Sequence, residues 1–494
     1  MDLFYDAVGQ ILDLFKYKYD KKIIQSGIMD AYIVLIWKNH ELSHRYLKEL
    51  YNNDINTKDF QKIIYILQSK LSKKYFDDLY YIPTAYEFII SNDINKEKYS
   101  IYYTPKWIVK YMVANSVNAY IKTKKDLSSL KILEPSCGCG TFLLYVFDVL
   151  YEWYIQNTKL TKEHIVKEIM EKILYATDID EVAVKYCKYM LMIKIMELLN
   201  KERFDINLNI YSYDYLKENN IDKIKFDVII GNPPYLENRK INKYYDKEYL
   251  KSKYTTASGR FDIYSLFIEK ALNMMKYEGK LSFIVPGSLL TNNNFILIRK
   301  ILLDKTEIIE IIKLGDKIFN NVGMDMIIIT VDKKKSINTN HEIQCKELHY
   351  NHEKDLYKKE YRYIPQKYYY NLLNYVFDIG STNITFKMRE KVYKSTQLYL
   401  NDRCEVIAGI ATGNIRNKLL TRNENDMNTK KVLEGKNVFS YYYQWGGLYI
   451  KDDKSLINRD KGEYATFMRK EFIYNEKILI RQTADRFICA YDDE

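Results

Sequence analysis

Apolar positions change their period along the chain. Over residues 1–95 they recur at helical spacing among polar neighbours, as in Ile28 to Leu50, where Ile33, Leu35, Ile36 and Leu42 fall near one face. From residue 96 the pattern becomes short apolar runs alternating with helical stretches, which predicts a parallel sheet with helices on both faces. Four runs carry this reading, Lys131–Leu133, Ile173–Ala176, Leu208–Tyr211 and Phe226–Ile230, each followed by a polar or glycine-rich turn. Later strands are expected at Leu281–Val285, Ile308–Lys313 and Met326–Val331. Charged stretches at Asp332–Lys335 and Glu353–Tyr363 then suggest a boundary. The expected class is α/β, a doubly wound sheet, with a helical region over 1–95, a catalytic domain over 96–385 and a further unit over 386–494.

A length of 494 residues supports such a division, because one hydrophobic core rarely organises so long a chain. No apolar run approaches the roughly 18 residues of a membrane span, and the start lacks the basic flank of a secretory signal, so a cytoplasmic protein with no membrane partner is expected. Six scattered cysteines form no disulfide framework, and Cys137-x-Cys139 lacks the spacing of a zinc site, so no metal is expected. The net charge of +11 is concentrated: residues 96–400 carry 48 basic and 37 acidic side chains, while both flanks are near neutral. A polyanionic partner meeting the middle segment is one explanation, and drift in a Lys-rich composition is the other.

Ligands of doubly wound sheets bind at the carboxyl ends of the strands, so the strand ends should carry the chemistry. The first run ends in Glu134-Pro135-Ser136-Cys137-Gly138-Cys139-Gly140-Thr141-Phe142. Leu143 breaks the dinucleotide fingerprint, and an acid at the strand end repels phosphate but suits a cationic ligand carrying an ammonium and a sulfonium. A tight strand-to-helix turn would look similar. The second run ends in Thr177-Asp178-Ile179-Asp180, where a carboxylate can take both hydroxyls of a ribose; an extra helix over roughly 161–171 precedes it. The third ends in Tyr213-Asp214-Tyr215, where a carboxylate can accept from an adenine amino group while a ring packs on the base. Each acid alone could be a helix cap; three at successive strand ends argue together for a nucleoside pocket.

The fourth run leads into Gly231-Asn232-Pro233-Pro234-Tyr235. Two prolines fix the backbone and remove two N–H donors, so a carbonyl can be presented outward beside the Asn232 amide oxygen. Two acceptors aimed at one exocyclic amino group draw its lone pair out of conjugation and let it attack a methyl sulfonium.

Residues from about 80 to 335 resemble the gamma-class adenine-specific DNA methyltransferases of restriction-modification systems, the Asn-Pro-Pro-Tyr family. Motif order supports the resemblance, because Tyr102-Tyr103-Thr104-Pro105 precedes Glu134–Phe142 and the Asn-Pro-Pro-Tyr element follows. Further matches are Tyr86-Glu87, Arg260–Tyr264 and Gly279-Lys280-Leu281 leading to Val285-Pro286. The resemblance implies a Rossmann-like S-adenosylmethionine-dependent methyltransferase sheet acting on double-stranded DNA. It implies that Tyr103, Thr104, Pro105 and Glu134 hold the methionine end of S-adenosyl-L-methionine, with Pro135, Ser136, Gly138 and Gly140 as floor. Asp178 with Ile179 would hold the ribose, and Asp214 with Tyr215 the adenine. Asn232, Pro233, Pro234 and Tyr235 would be catalytic, with Phe319 sandwiching a flipped adenine against Tyr235 unless it is a core residue. The family's usual glycine before Tyr102 is absent, Ser100-Ile101 standing there.

Residues 236–260 mix seven basic and three acidic residues with Tyr244, Tyr245, Tyr249 and Tyr254, which suits DNA contacts or a solvated loop. Val406–Asn414 and Ile478–Gln482 resemble the opening of a target-recognition domain, read as partial over 386–494 and completed by a specificity chain or missing. A restriction endonuclease is the other implied partner. Alternative readings are an inactive DNA-binding remnant, or an amino-group methyltransferase acting on RNA or protein glutamine, though those families generally lack the Tyr-Tyr-Thr-Pro element. Cytosine carbon-5 methylation is disfavoured because no Pro-Cys occurs.

Overall fold

The computed structural model describes residues 2–40, 55–90, 104–201, 204–236, 238–315, 325–348, 353–358, 360–396, 398–426, 428–459, 463–468, 472–473, 475–484 and 486–493. The chain divides into two compact units, Met1–Glu390 and Lys391–Glu494.

The first unit is built on β1 (Ile132–Glu134), β2 (Leu174–Asp178), β3 (Ile210–Ser212), β4 (Phe226–Gly231), β5 (Met275–Pro286), β6 (Thr306–Gly315), β7 (Met326–Lys333), β8 (Glu342–Glu347) and β9 (Arg362–Pro365). They form one sheet in the order β3-β2-β1-β4-β5-β7-β6-β8-β9. Strands β3 to β5 run parallel, and β7 is inserted antiparallel between β5 and β6. The expected doubly wound α/β class is borne out, and all seven apolar runs coincide with strands. β4 is buried at all six positions, as a parallel strand covered on both faces must be, which explains its apolar run, with Asp227 as the one charged residue, accepting from the Lys131 N–H at 2.8 Å. The helix Glu181–Leu199 packs on β2 and β3, and Ile263–Met274 on β5. The extra helix before β2 is Lys162–Lys167, widening into a π-turn over Glu168–Ile173.

The charged stretches after Val331 do not end the sheet. β8 adds parallel to β6, and β9 pairs antiparallel with β8 across Ile343 and Ile364. β8 buries Ile343, Cys345 and Lys346; the Lys346 ammonium donates to the Leu356 carbonyl at 3.1 Å and to that of Lys358 at 2.5 Å. A charged side chain is therefore absorbed by carbonyls inside the unit, which a polarity count along the chain reads as surface.

The N-terminal helices belong to the same unit. Lys21–Asn39, capped by Asp20, is buried on nearly every side from Ile24 to Trp37. Its Asp30 is fully buried and accepts from Lys185 Nζ and Tyr186 Oη, both at 3.0 Å, in the Glu181–Leu199 helix. The Tyr81–Ile90 helix contacts the same helix. The helix Lys106–Val113 is fixed to the sheet by Tyr111, whose hydroxyl donates to the buried Glu310 carboxylate at 2.8 Å, while Thr330 donates to its other oxygen at 2.9 Å.

The second unit contains β10 (Leu420–Thr421), β11 (Thr429–Lys431), β12 (Tyr449–Lys451), β13 (Lys477–Ile480) and β14 (Cys489–Asp492). They form a three-stranded sheet, β10-β12-β11, and a separate hairpin, β13-β14. Ile415, Leu419 and Ile450 form one small core; Val438, Ile488 and Ala490 form another. Among the described residues no helix of either unit is long and apolar enough to cross a membrane.

Candidate active site

Sheet order reverses between β1 and β4, so the chain leaves these neighbouring strands toward opposite sides and opens a crevice at their carboxyl ends. Glu134 ends β1 and Gly231 ends β4, which brings the two most informative sequence motifs to one place. A cavity of about 1080 Å³, counting its open mouth, lies there. Thr104, Glu134, Asp178, Asp214 and Asn232 all line it.

The turn after β1 is held by β2. Thr177 Oγ1 donates to the Pro135 carbonyl at 3.0 Å, and Cys137 N–H donates to the Thr177 carbonyl at 2.9 Å. Gly140 has φ +90°, and a Cβ there would lie 2.5 Å from Cys187 Sγ, so only glycine lets the turn lie against the Glu181–Leu199 helix. Beside Gly138 a Cβ would meet nothing within 4 Å, and the cavity occupies that space.

Asp178 accepts from the Gly138 N–H at 2.7 Å through one oxygen and from the Asp180 N–H at 2.9 Å through the other. These donors favour its charged form, yet desolvation outweighs them and its carboxyl is pushed up to about 6. Ile179 is 39% exposed at the cavity wall, an apolar face open to a planar ligand. Asp180 is a cap: its side chain accepts from Val182 and Ala183 at the start of the helix, and Tyr86 donates to its second oxygen at 2.7 Å. Asp214 accepts from the Leu216 N–H at 3.1 Å, and burial raises its carboxyl. Tyr215 is buried, its ring 4.8 Å from that of Phe267, so most of it belongs to the core beneath the cavity.

Glu134 is 2% exposed, and burial, with Cys187 and Asp178 nearby, holds its carboxyl well above the usual range. Its Oε2 has no hydrogen-bond partner among the described residues. An orphaned buried carboxylate oxygen at a cavity wall fits a ligand bringing an ammonium, which would satisfy the oxygen and stabilise its charge.

Asn232 is oriented from two sides. Its Nδ2 donates to Thr104 Oγ1 at 3.0 Å, which turns Oδ1 away from Thr104, and its carbonyl accepts from Ser136 Oγ at 3.0 Å. The Tyr235 hydroxyl donates to Oδ1, so a side chain of the same motif occupies the acceptor. Pro234 lines the cavity and Pro233 is buried. Pro105 precedes the helix Lys106–Val113, and its carbonyl accepts from the Ile108 N–H at 2.9 Å. Tyr103 and Phe319 lie outside the described residues.

Three cavity residues, Pro83, Tyr86 and Glu87, come from the N-terminal helices, where periodicity alone gives no sign of a site. The Tyr86-Glu87 pair was legible only through the family resemblance. Among the described residues no group of three or more His, Cys, Asp or Glu could hold a metal ion.

A parallel-rich sheet with nucleoside-type strand-end acids and an Asn-Pro-Pro-Tyr turn defines a class of protein, and comparison with known proteins narrows it. Residues 172–319 match the family described as Eco57I restriction-modification methylase. The chain is 31% identical over 278 residues to the type II restriction enzyme and methyltransferase RM.Eco57I of Escherichia coli, covering 48% of this chain and 28% of that protein. It is 28% identical over 240 residues to the type II methyltransferase M.HincII of Haemophilus influenzae, covering 48% of this chain and 38% of that one. These matches bear out the likeness to restriction-modification methylases read from the motifs. Over five such relatives the chain spans 22% to 38% of their length. Among solved structures, the DrdV–DNA complex superposes with a TM-score of 0.57 at 16% identity, over 85% of this chain and 48% of that one. The type IIL enzyme MmeI in complex with DNA gives 0.54 at 14% identity, over 93% and 72%. At that identity the superpositions show the shared fold.

Proposed function

We propose that the chain is a site-specific DNA methyltransferase of a restriction-modification system that methylates the exocyclic amino group of a flipped adenine. The observation that carries this reading is Asn232, whose carboxamide donates through Nδ2 to Thr104 so that its oxygen faces away from the Thr104 side, and whose backbone carbonyl accepts from Ser136. S-adenosyl-L-methionine would supply a methyl group on a sulfonium. Glu134 would hold its ammonium, Asp178 with Ile179 its ribose, and Asp214 with Tyr215 its adenine, on a floor from Pro135 to Gly140.

At the other end of the crevice the target amino group replaces the Tyr235 hydroxyl on Asn232 Oδ1 and donates its second proton to the Pro233 carbonyl. Both bonds strengthen as positive charge develops on the nitrogen, so they act on the transition state more than on the bound base. Tyr235, released, stacks on the adenine, and Phe319 closes its other face.

Residues 386–494 act in this reading in target recognition, and a restriction endonuclease or a specificity chain is the expected partner. Support comes from the relative named as a type II restriction enzyme and methyltransferase. Incubation with labelled S-adenosylmethionine and mixed-sequence duplex DNA tests the reading. Label should appear as N6-methyladenine and fall about a hundred- to a thousandfold in Asn232→Ala at unchanged thermal stability. Cofactor binding without any transfer would instead favour a DNA-binding remnant, and label on RNA or protein alone would move the substrate class.

A further inference from the structure

Tyr86 stands in the helix Tyr81–Ile90, nearly a hundred positions before the strand end it touches. It is 6% exposed, lines the cavity, and its ring lies 5.6 Å from that of Tyr186. Its hydroxyl donates to Asp180 Oδ2 at 2.7 Å in a buried setting. Asp180 Oδ1 is already committed to the helix start, accepting from Val182 N–H at 3.0 Å and Ala183 N–H at 3.3 Å. The backbone N–H of the same aspartate donates to Asp178 Oδ1 at 2.9 Å, and the Gly138 N–H donates to Asp178 Oδ2 at 2.7 Å. An unbroken chain of hydrogen bonds thus runs from Tyr86 through Asp180 and Asp178 to the glycine turn.

We infer that Tyr86 is a positioning residue for the cofactor, fixing the Asp178 carboxylate through Asp180, so that the N-terminal helices form a working wall of the methyl-donor pocket. This rests on the reading of Asp178 as the ribose ligand. Both Asp180 carboxylate oxygens are engaged, which holds its side chain in place, and its N–H donates to Asp178. Without the tyrosine hydroxyl, a buried carboxylate oxygen loses its donor and Asp180 gains freedom to turn toward water, loosening the N–H that aims Asp178. The ring itself is not needed for this effect, because a phenylalanine keeps the contact with Tyr186.

The full chain carrying Tyr86→Phe is titrated with S-adenosylmethionine and with S-adenosylhomocysteine by calorimetry, and methyl transfer is followed over a range of cofactor concentrations. Kd and the cofactor KM should rise about tenfold, as expected for loss of a hydrogen bond to a buried charged group, while kcat at saturation falls much less. Tyr186→Phe is the control, since it removes a buried 3.0 Å bond to Asp30 from the same helix and leaves the Asp180–Asp178 link intact. A general loosening of that helix would move both variants alike. Equal Kd increases in the two, or a Tyr86→Phe Kd within twofold of the parent, would overturn the inference. A parent protein that binds neither compound sinks the assignment of Asp178, and this inference with it. Binding by the parent with no response in Tyr86→Phe sinks the inference alone.

Discussion

Among the described residues, 1–390 bury one continuous core around a nine-stranded sheet, whereas 391–494 divide their apolar side chains between two clusters of three buried residues each. The first unit also encloses charged side chains: Asp30 and Glu310, held by a lysine and by tyrosine and threonine hydroxyls, and Glu134, which keeps an orphaned oxygen at the cavity. The second unit turns aromatic rings outward instead: Tyr441 is 90% exposed and Phe487 75%. Methyl transfer requires reacting groups held within fractions of an ångström, which a deep and cross-tied core can supply. Under the proposed function, a thin core with outward-facing rings would suit a reader of DNA, because surface residues there could change without touching the chemistry.

The sharpest way to break this contrast is to strike each unit at a glycine that its packing requires. Gly140→Val introduces a side chain where even a Cβ would lie 2.5 Å from Cys187 Sγ, at a φ of +90°. It should destabilise the first unit by about 3 kcal/mol and lower its unfolding temperature, read by calorimetry. Gly413→Ala places a methyl 1.9 Å from the Tyr464 carbonyl oxygen at φ +54°. A backbone oxygen cannot swing aside, so the second unit should lose about 2 kcal/mol. Cofactor Kd in that variant should stay within twofold of the parent; a larger change would mean that the units do not divide the work as described.

A smaller effect separates the units by pH. The Asp178 carboxyl is pushed up to about 6 in the folded protein, above its value in the unfolded chain. Its contribution to stability is therefore fully present at low pH and is lost as pH rises from the ordinary carboxylate range through about 6. Cofactor binding has the opposite sign, because ribose hydroxyls donate to the charged form. Kd should rise about tenfold between pH 7 and pH 5, and Asp178→Asn should flatten that dependence.

The smallest change expected is favourable. Tyr441 holds a φ of +74° at a tight turn closed by Phe439 N–H on the Tyr442 carbonyl at 2.9 Å, a conformation that costs a bulky residue about 1 kcal/mol. Tyr441→Gly should raise the unfolding temperature of the second unit by a few degrees without affecting cofactor affinity.

How much of this was legible in the sequence follows the range of the interactions. β4 and β7 show as mostly apolar runs, broken only by Asp227 and Thr330 within their buried stretches, because both faces are covered, and the strand-end acids stand out because each is local to its strand. β8 and β9 were hidden, since Lys346 satisfies its charge on carbonyls that the chain brings together only in the fold. Tyr86 and Asp180 lie 94 residues apart, and no periodicity or spacing links them. The motif reading of Asn232 gave no hint that its amide meets Thr104, that its carbonyl meets Ser136, or that Tyr235 turns its hydroxyl inward.

That inward hydroxyl has a consequence for selectivity. In the resting protein the Asn232 oxygen already has a donor, so an entering base must exchange one partner for another. An adenine returns an N–H for the O–H it displaces. A base presenting a keto oxygen at that point would evict the tyrosine and leave two acceptors facing each other, a loss of about 1–3 kcal/mol for the stranded acceptor alone. Under the proposed reaction the motif would reject wrong bases through a contact it gives up, as well as welcome the right one through a contact it makes.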